Sequence, residues 1–115
     1  MTQPPVPPYF AVIFRSKKRP ENQQEYRRVA EQMESLVTQQ PGYIGHWSCQ
    51  QADGESLTIS YWEDEKAIAA WKQLLEHRKA QALGRTPFYE WFTVEVCQVQ
   101  RAYGFTRQGK ADHCP

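Results

Sequence analysis

Apolar side chains recur along this chain in two rhythms, one close to period two and one close to 3.6, and together they mark six elements. Tyr9 to Ser16 is almost continuously apolar from Phe10 to Phe14, which predicts a central strand. Pro20 and Glu21 suit the first turn of a helix, because proline lacks an N–H and the carboxylate faces the positive dipole end. Tyr26, Val29, Ala30, Met33, Leu36 and Val37 then fall on one helical stripe, and Gln39-Gln40-Pro41-Gly42 ends it. Tyr43 to Gln51 and Ser56 to Glu63 read as two strands joined at Asp53-Gly54, a strong hairpin signal. On the second of these, Leu57, Ile59 and Tyr61 share one face, while Thr58, Ser60 and Trp62 share the other. Asp64 is the expected N-cap of a second helix with Ala67, Ile68, Trp71, Leu74 and Leu75 as its stripe. The stripe slips at Arg78 and Lys79, which predicts a kink or a fresh turn near Glu76-His77, and Gly84 is the expected stop. Trp91 to Tyr103 reads as a last long strand, and Val99 breaks its alternation, which predicts a bulge or a change of partner there.

The order β-α-β-β-α-β is that of the ferredoxin-like α+β fold, a four-stranded antiparallel sheet carrying two helices on one face. The opposite face also carries large apolar side chains, which rarely stay open to water in a small domain. Pairing two such sheets face to face covers both, so a homodimer is expected. Residues 1–8 are a proline-rich arm, 9–103 the folded domain and 104–115 a polar tail.

Composition narrows the chemistry. At 115 residues, one domain is the default. With 14 basic and 13 acidic residues the formal net charge is +1, which supplies no electrostatic footprint for nucleic acid or an anionic membrane. Three widely spaced cysteines, Cys49, Cys97 and Cys114, fit neither a disulfide framework nor a cysteine-based zinc site. No apolar run reads as a secretory leader or a membrane span, so a cytoplasmic location is expected. The aromatic content, 13% with four Trp and six Tyr, is high for so small a domain. Two uses account for it: packing in a core and dimer interface, or a pocket for a flat apolar ligand.

The segments Ser60-Tyr61-Trp62-Glu63, Ala67-Ile68 followed by Trp71-Lys72, Glu76-His77-Arg78 with Gln81 and Gly84-Arg85, and then Tyr89, resemble the antibiotic biosynthesis monooxygenase family. Phe10 to Arg15, Gln40-Pro41-Gly42-Tyr43 and Val94 to Tyr103 extend the resemblance across residues 9–103. It implies a dimeric α+β barrel with a pocket in each subunit between sheet and helices. Some members of the family oxidise polycyclic phenols or quinols with O2 and neither metal nor flavin, others degrade haem, and many have no known reaction.

The resemblance implies an oxygenase with no cofactor, acting on a small phenolic, hydroquinone or polyketide-like aromatic. Such chemistry needs a dry, flat pocket, one base and stabilisation of a phenolate. Trp62, Trp71, Tyr89 and Trp91 are candidate walls, Arg15 a candidate cation and His77 a candidate base. Each has a structural alternative. Trp71 lies on a helical core stripe. Trp62 can face a dimer partner, and Tyr89 and Trp91 can anchor one. His77 can cap a helical turn, and Arg15 can be a solvated loop residue. His46 reads as a structural histidine. Against this stands a non-catalytic dimeric module that binds a small hydrophobic molecule. Haem chemistry is a weaker alternative: the family's haem-degrading members carry an Asn near the end of the first strand and a ligating His on the second helix. Here those places hold Phe14-Arg15 and Gln81, with His77 one turn early. No glycine-rich phosphate loop and no catalytic-triad spacing stand out.

Overall fold

A computed structural model of the chain describes residues 5–21, 23–83 and 88–107. The elements are β1 (Tyr9–Lys18), α1 (Gln23–Val37), β2 (Tyr43–Gln50), β3 (Glu55–Trp62), α2 (Glu65–Leu83) and β4 (Tyr89–Val99). The strands form one antiparallel sheet in the order β2-β3-β1-β4, so the fold is the expected ferredoxin-like α+β arrangement.

Local chemistry explains the joints. Gln51 and Glu55 close the β2–β3 hairpin through their backbones, and the Asp53 carboxylate accepts from the Glu55 N–H at 2.9 Å. Gly54 takes φ +94° there, a conformation open to glycine at no steric cost. Gly42, before β2, is at φ +83°, and a Cβ on it would stand 2.7 Å from that of Ala67. Its carbonyl accepts from the Glu63 N–H, so the start of β2 is pinned against the entry to α2. Asp64 caps α2 as expected, its carboxylate accepting from the Ala67 N–H at 2.9 Å.

Paired residues on neighbouring strands share a face, so the registers sort every strand residue. One face carries Tyr43, His46, Ser48 and Gln50 of β2; Trp62, Ser60, Thr58 and Ser56 of β3; Phe10, Val12, Phe14 and Ser16 of β1; and Val96, Val94 and Phe92 of β4. The helices lie on this face: Trp71 of α2 stacks on Trp62, and Glu34 of α1 reaches His46. Val29 and Met33 of α1 form a buried core with Phe88, flanked by Tyr26, Leu36, Trp71, Leu75 and Tyr89. The opposite face carries Trp47, Leu57, Ile59, Tyr61, Ile13, Arg15 and Trp91.

Three details differ from the sequence expectation. The β1–β4 register runs unbroken to Tyr9 opposite Val99, and its one shift lies at the other end, where Lys17 faces Trp91 and Lys18 faces Tyr89. Val99 departs from the apolar rhythm because it belongs to the face of Tyr9 and Ala11, not because the strand bulges there. α2 is a single helix from Glu65 to Leu83, so no new helix starts at Glu76-His77. Pro20 precedes α1, which begins at Gln23. Gly84 and Arg85 lie outside the described residues.

Candidate functional site

The helix-bearing face divides lengthwise into two unlike halves. On β2 and β3 it carries hydroxyl groups among the rings of Tyr43, His46 and Trp62, and β1 adds Ser16. The Ser16 and Ser56 hydroxyls meet at 3.1 Å with Ser16 fully buried, and Thr58 donates to Ser48 at 3.2 Å. Trp62 Nε1–H donates to the Ser60 hydroxyl at 2.9 Å, which supplies the partner a fully buried indole requires. On β1 and β4 the face is apolar, with Val12, Phe14, Val94, Val96 and Phe92 side by side. Here the cover fails: Phe92, Val94 and Val96 are 57%, 50% and 47% exposed although they point to the helix side.

An aromatic wall bounds this open strip. Phe14 packs against Tyr89 and Phe92 at ring separations of 5.5 and 5.7 Å, and Tyr89 packs in turn on Tyr26 of α1. Burial, with Tyr26 adding to it, pushes the Tyr89 phenol far above its ordinary pKa, so it stays neutral at any physiological pH. At the other end Trp62 and Trp71 stack with centroids 6.3 Å apart, and Tyr43 meets Trp62 edge-on at 5.7 Å.

Tyr43 also begins a hydrogen-bonded chain. Its hydroxyl lies 2.6 Å from His46 Nδ1, and His46 Nε2 lies 3.2 Å from Glu34 Oε2. A carboxylate only accepts, so Nε2 carries the hydrogen; in a neutral ring Nδ1 then accepts from the phenol. Burial, and then the Glu34 charge, raise the Tyr43 pKa. A cleft of about 410 Å³ opens beside α1, with Lys18, Arg19, Arg27, Glu31 and Glu34 among its lining. Its mixture of charges favours no ligand of one sign.

The candidate residues are distributed unevenly over this architecture. Trp62 and Trp71 are brought together, and Trp62 is too deeply buried to face a partner. Tyr89 lies on the same side, in the wall beside Phe14. Trp91, two residues on, lies on the opposite face because Glu90 is the extra residue at the register shift. Arg15 is on that opposite face too, between Leu57 and Thr93, and is exposed. His77 is exposed on α2, outside its inward stripe. Sequence reasoning missed the open strip of Val94, Val96 and Phe92, whose alternation was visible but whose side was not. It also missed the partners of His46, which come from a helix twelve residues away and a strand residue three away. Among the described residues no group of three His, Cys, Asp or Glu side chains is placed to hold a metal. Nor is any described helix long and apolar enough to cross a membrane.

The model of the antibiotic biosynthesis monooxygenase domain matches residues 9–83, from β1 through α2. The chain belongs to the antibiotic biosynthesis monooxygenase family. Among relatives of this family member, the Bacillus subtilis protein YqjZ is 44% identical over 101 residues, covering 88% of each chain. The Pyricularia oryzae protein named jasmonate monooxygenase ABM is 29% identical over 92 residues, 78% of this chain and 43% of that one. SnoaB, described as a cofactor-independent oxygenase of Streptomyces nogalater, superposes with a TM-score of 0.65 over 84% of this chain and 97% of its own. At 12% identity that likeness is one of fold.

Proposed function

We propose that the protein is a monooxygenase that oxidises a small phenolic, hydroquinone or polyketide-like aromatic with O2 and no cofactor, working as a homodimer. In such a reaction one oxygen of O2 is added at a ring carbon, the substrate gives up two hydrogens in all, and these leave with the other oxygen as water, with all electrons coming from the substrate. Family membership and the monooxygenase name of the fungal relative support the reaction class. The observation that carries the reading is the open strip. Half-exposed Phe92, Val94 and Val96 lie on the side where the helices should have covered them. A flat ring laid there would contact apolar side chains below, and the Ser60 and Thr58 hydroxyls are in the next strand but one for its oxygens.

In this reading Trp71 and Tyr89 form the wall, with Trp62 behind Trp71 holding it in place. His77, on the same helix as Trp71, is the candidate base. Arg15 and Trp91 belong with Trp47, Leu57 and Ile59 on the opposite face, which a twin sheet covers in the dimer. O2 uptake with a panel of hydroquinones, against the rate without protein, tests the proposal. Catalysed uptake that is lost on charging the strip is expected. Tight binding with uptake no faster than the protein-free rate would replace it with the second reading, a module that sequesters a hydrophobic molecule. Two observations favour that second reading: His77 lies outside the inward stripe, and Arg15 is on the other side of the sheet.

A further inference from the structure

The aromatic stack and the hydrogen-bonded chain meet at one residue, Tyr43. Trp71, which packs on the same core as Tyr89, stacks on Trp62 at 6.3 Å; Trp62 touches Tyr43 at 5.7 Å; and the Tyr43 hydroxyl is 2.6 Å from His46 Nδ1. Such an order is demanding chemistry laid out in space. Indole and phenol are the most easily oxidised of the common side chains after thiols, and rings in van der Waals contact pass an electron rapidly. A phenol that loses an electron becomes a very strong acid. It can therefore serve as an electron donor only where a base is ready to take its proton. Of the phenol hydroxyls for which a hydrogen bond is defined among the described residues, that of Tyr43 is the one on an imidazole. The imidazole is backed by the Glu34 carboxylate at 3.2 Å, which stabilises the imidazolium once formed. Glu34 is at the surface, and Trp62 between the two ends is fully buried.

We infer that Trp71, Trp62 and Tyr43 form a conduit that draws one-electron oxidising equivalents out of the open strip and parks them on Tyr43, with His46 taking the proton. In the forward direction a hydroperoxyl radical in the strip gains one electron from Trp71 and a proton from solvent and becomes hydrogen peroxide. Trp62 refills Trp71, and Tyr43 refills Trp62. Tyr43 loses its hydroxyl proton to His46 Nδ1 in the same event and ends as a neutral phenoxyl radical beside an imidazolium. A thiol reductant then gives a hydrogen atom to the Tyr43 oxygen and leaves as a thiyl radical, and the imidazolium releases its proton to solvent. The source of the oxidant rests on the oxygenase reading; the conduit itself does not.

The experiment therefore generates the oxidant independently of turnover. Azide radicals formed by pulse radiolysis oxidise indoles, and the decay of indolyl absorbance into phenoxyl absorbance is followed in the full chain. Exposed Trp47 and Trp91 are replaced by Phe so that radicals form at the stacked pair. Transfer whose rate does not depend on protein concentration is expected. Tyr43→Phe should abolish that phase, His46→Gln should slow it by removing the proton acceptor, and Tyr61→Phe on the opposite face should leave it unchanged. Absence of the phase in the parent, or its survival in Tyr43→Phe, overturns the inference. An unchanged rate in Trp62→Phe, with an unaltered circular dichroism spectrum, overturns it as well. Absence of O2 uptake with every hydroquinone would remove the oxygenase reading and leave this result standing.

Discussion

The two halves of the helix-bearing face teach different things about the same sheet. On β2 and β3 hydroxyls stand among the rings of Tyr43, His46 and Trp62, and the polar groups bond to one another, to β1 or to α1: Thr58 to Ser48, Ser56 to Ser16, His46 to Glu34. Polar groups with partners cost little whether buried, as at Ser16, or exposed, as at Ser48, so this half needs no further cover. On β1 and β4 the side chains are apolar, yet Phe92, Val94 and Val96 meet water. Leaving such a strip open forgoes about 25 cal/mol for each Å² that could have been buried, and a ligand or partner recovers it. The hydrogen-bonded half therefore serves stability, and the open half is where the proposed ligand would lie.

That division can be broken at its strongest point first. Trp62→Ala removes the fully buried ring on which both Trp71 and Tyr43 pack, and should cost about 3–5 kcal/mol in denaturant unfolding. A loss below about 1 kcal/mol would mean the stack is no part of the closed structure. Alkaline pH attacks the seam between the halves. The phenols of Tyr89 and Tyr43 are held above the ordinary value of 10.0, chiefly by burial, so the folded state resists their ionisation and the unfolded state does not. The stability they contribute is complete below pH 10 and falls as pH rises beyond it. Tyr89→Phe should flatten that fall, and an identical pH profile in the variant would contradict the assignment. In the open half the effect moves from stability to affinity. Val96→Lys should change unfolding by no more than about 0.5 kcal/mol. It should weaken binding of an apolar hydroquinone by about tenfold, the loss of one buried side-chain contact of ~1.5 kcal/mol. Equal effects on both would erase the distinction. The smallest effect is expected at Asp64→Ala, which uncaps α2 at a cost of about 1 kcal/mol in thermal unfolding, with ligand affinity preserved.

The order of elements was legible because each carried a clean local signal. Asp53-Gly54 turned the hairpin, Asp64 capped α2, and the stripe of Tyr26, Val29 and Met33 marked α1. The face of Trp62 was also legible, since Thr58, Ser60 and Trp62 alternate without interruption. What stayed hidden depends on register or on distance. Tyr89 lies outside the strand that the pattern from Trp91 predicts, yet it pairs with Lys18, and the extra Glu90 sends Tyr89 and Trp91 to opposite sides. Arg15 reads as the end of a strand that in fact runs on to Lys18, with Arg15 between two paired neighbours. The Tyr43–His46–Glu34 chain needs α1 laid over β2, a contact that no local pattern encodes.

The claim that the open half is where a ligand lies is tested most directly by methyl and backbone NMR shift mapping with a naphthohydroquinone under anaerobic conditions. The account predicts perturbations at Val94, Val96, Phe92, Phe14 and Trp71. Perturbations centred instead on Trp47, Leu57, Ile59 and Trp91, across the sheet, would contradict it.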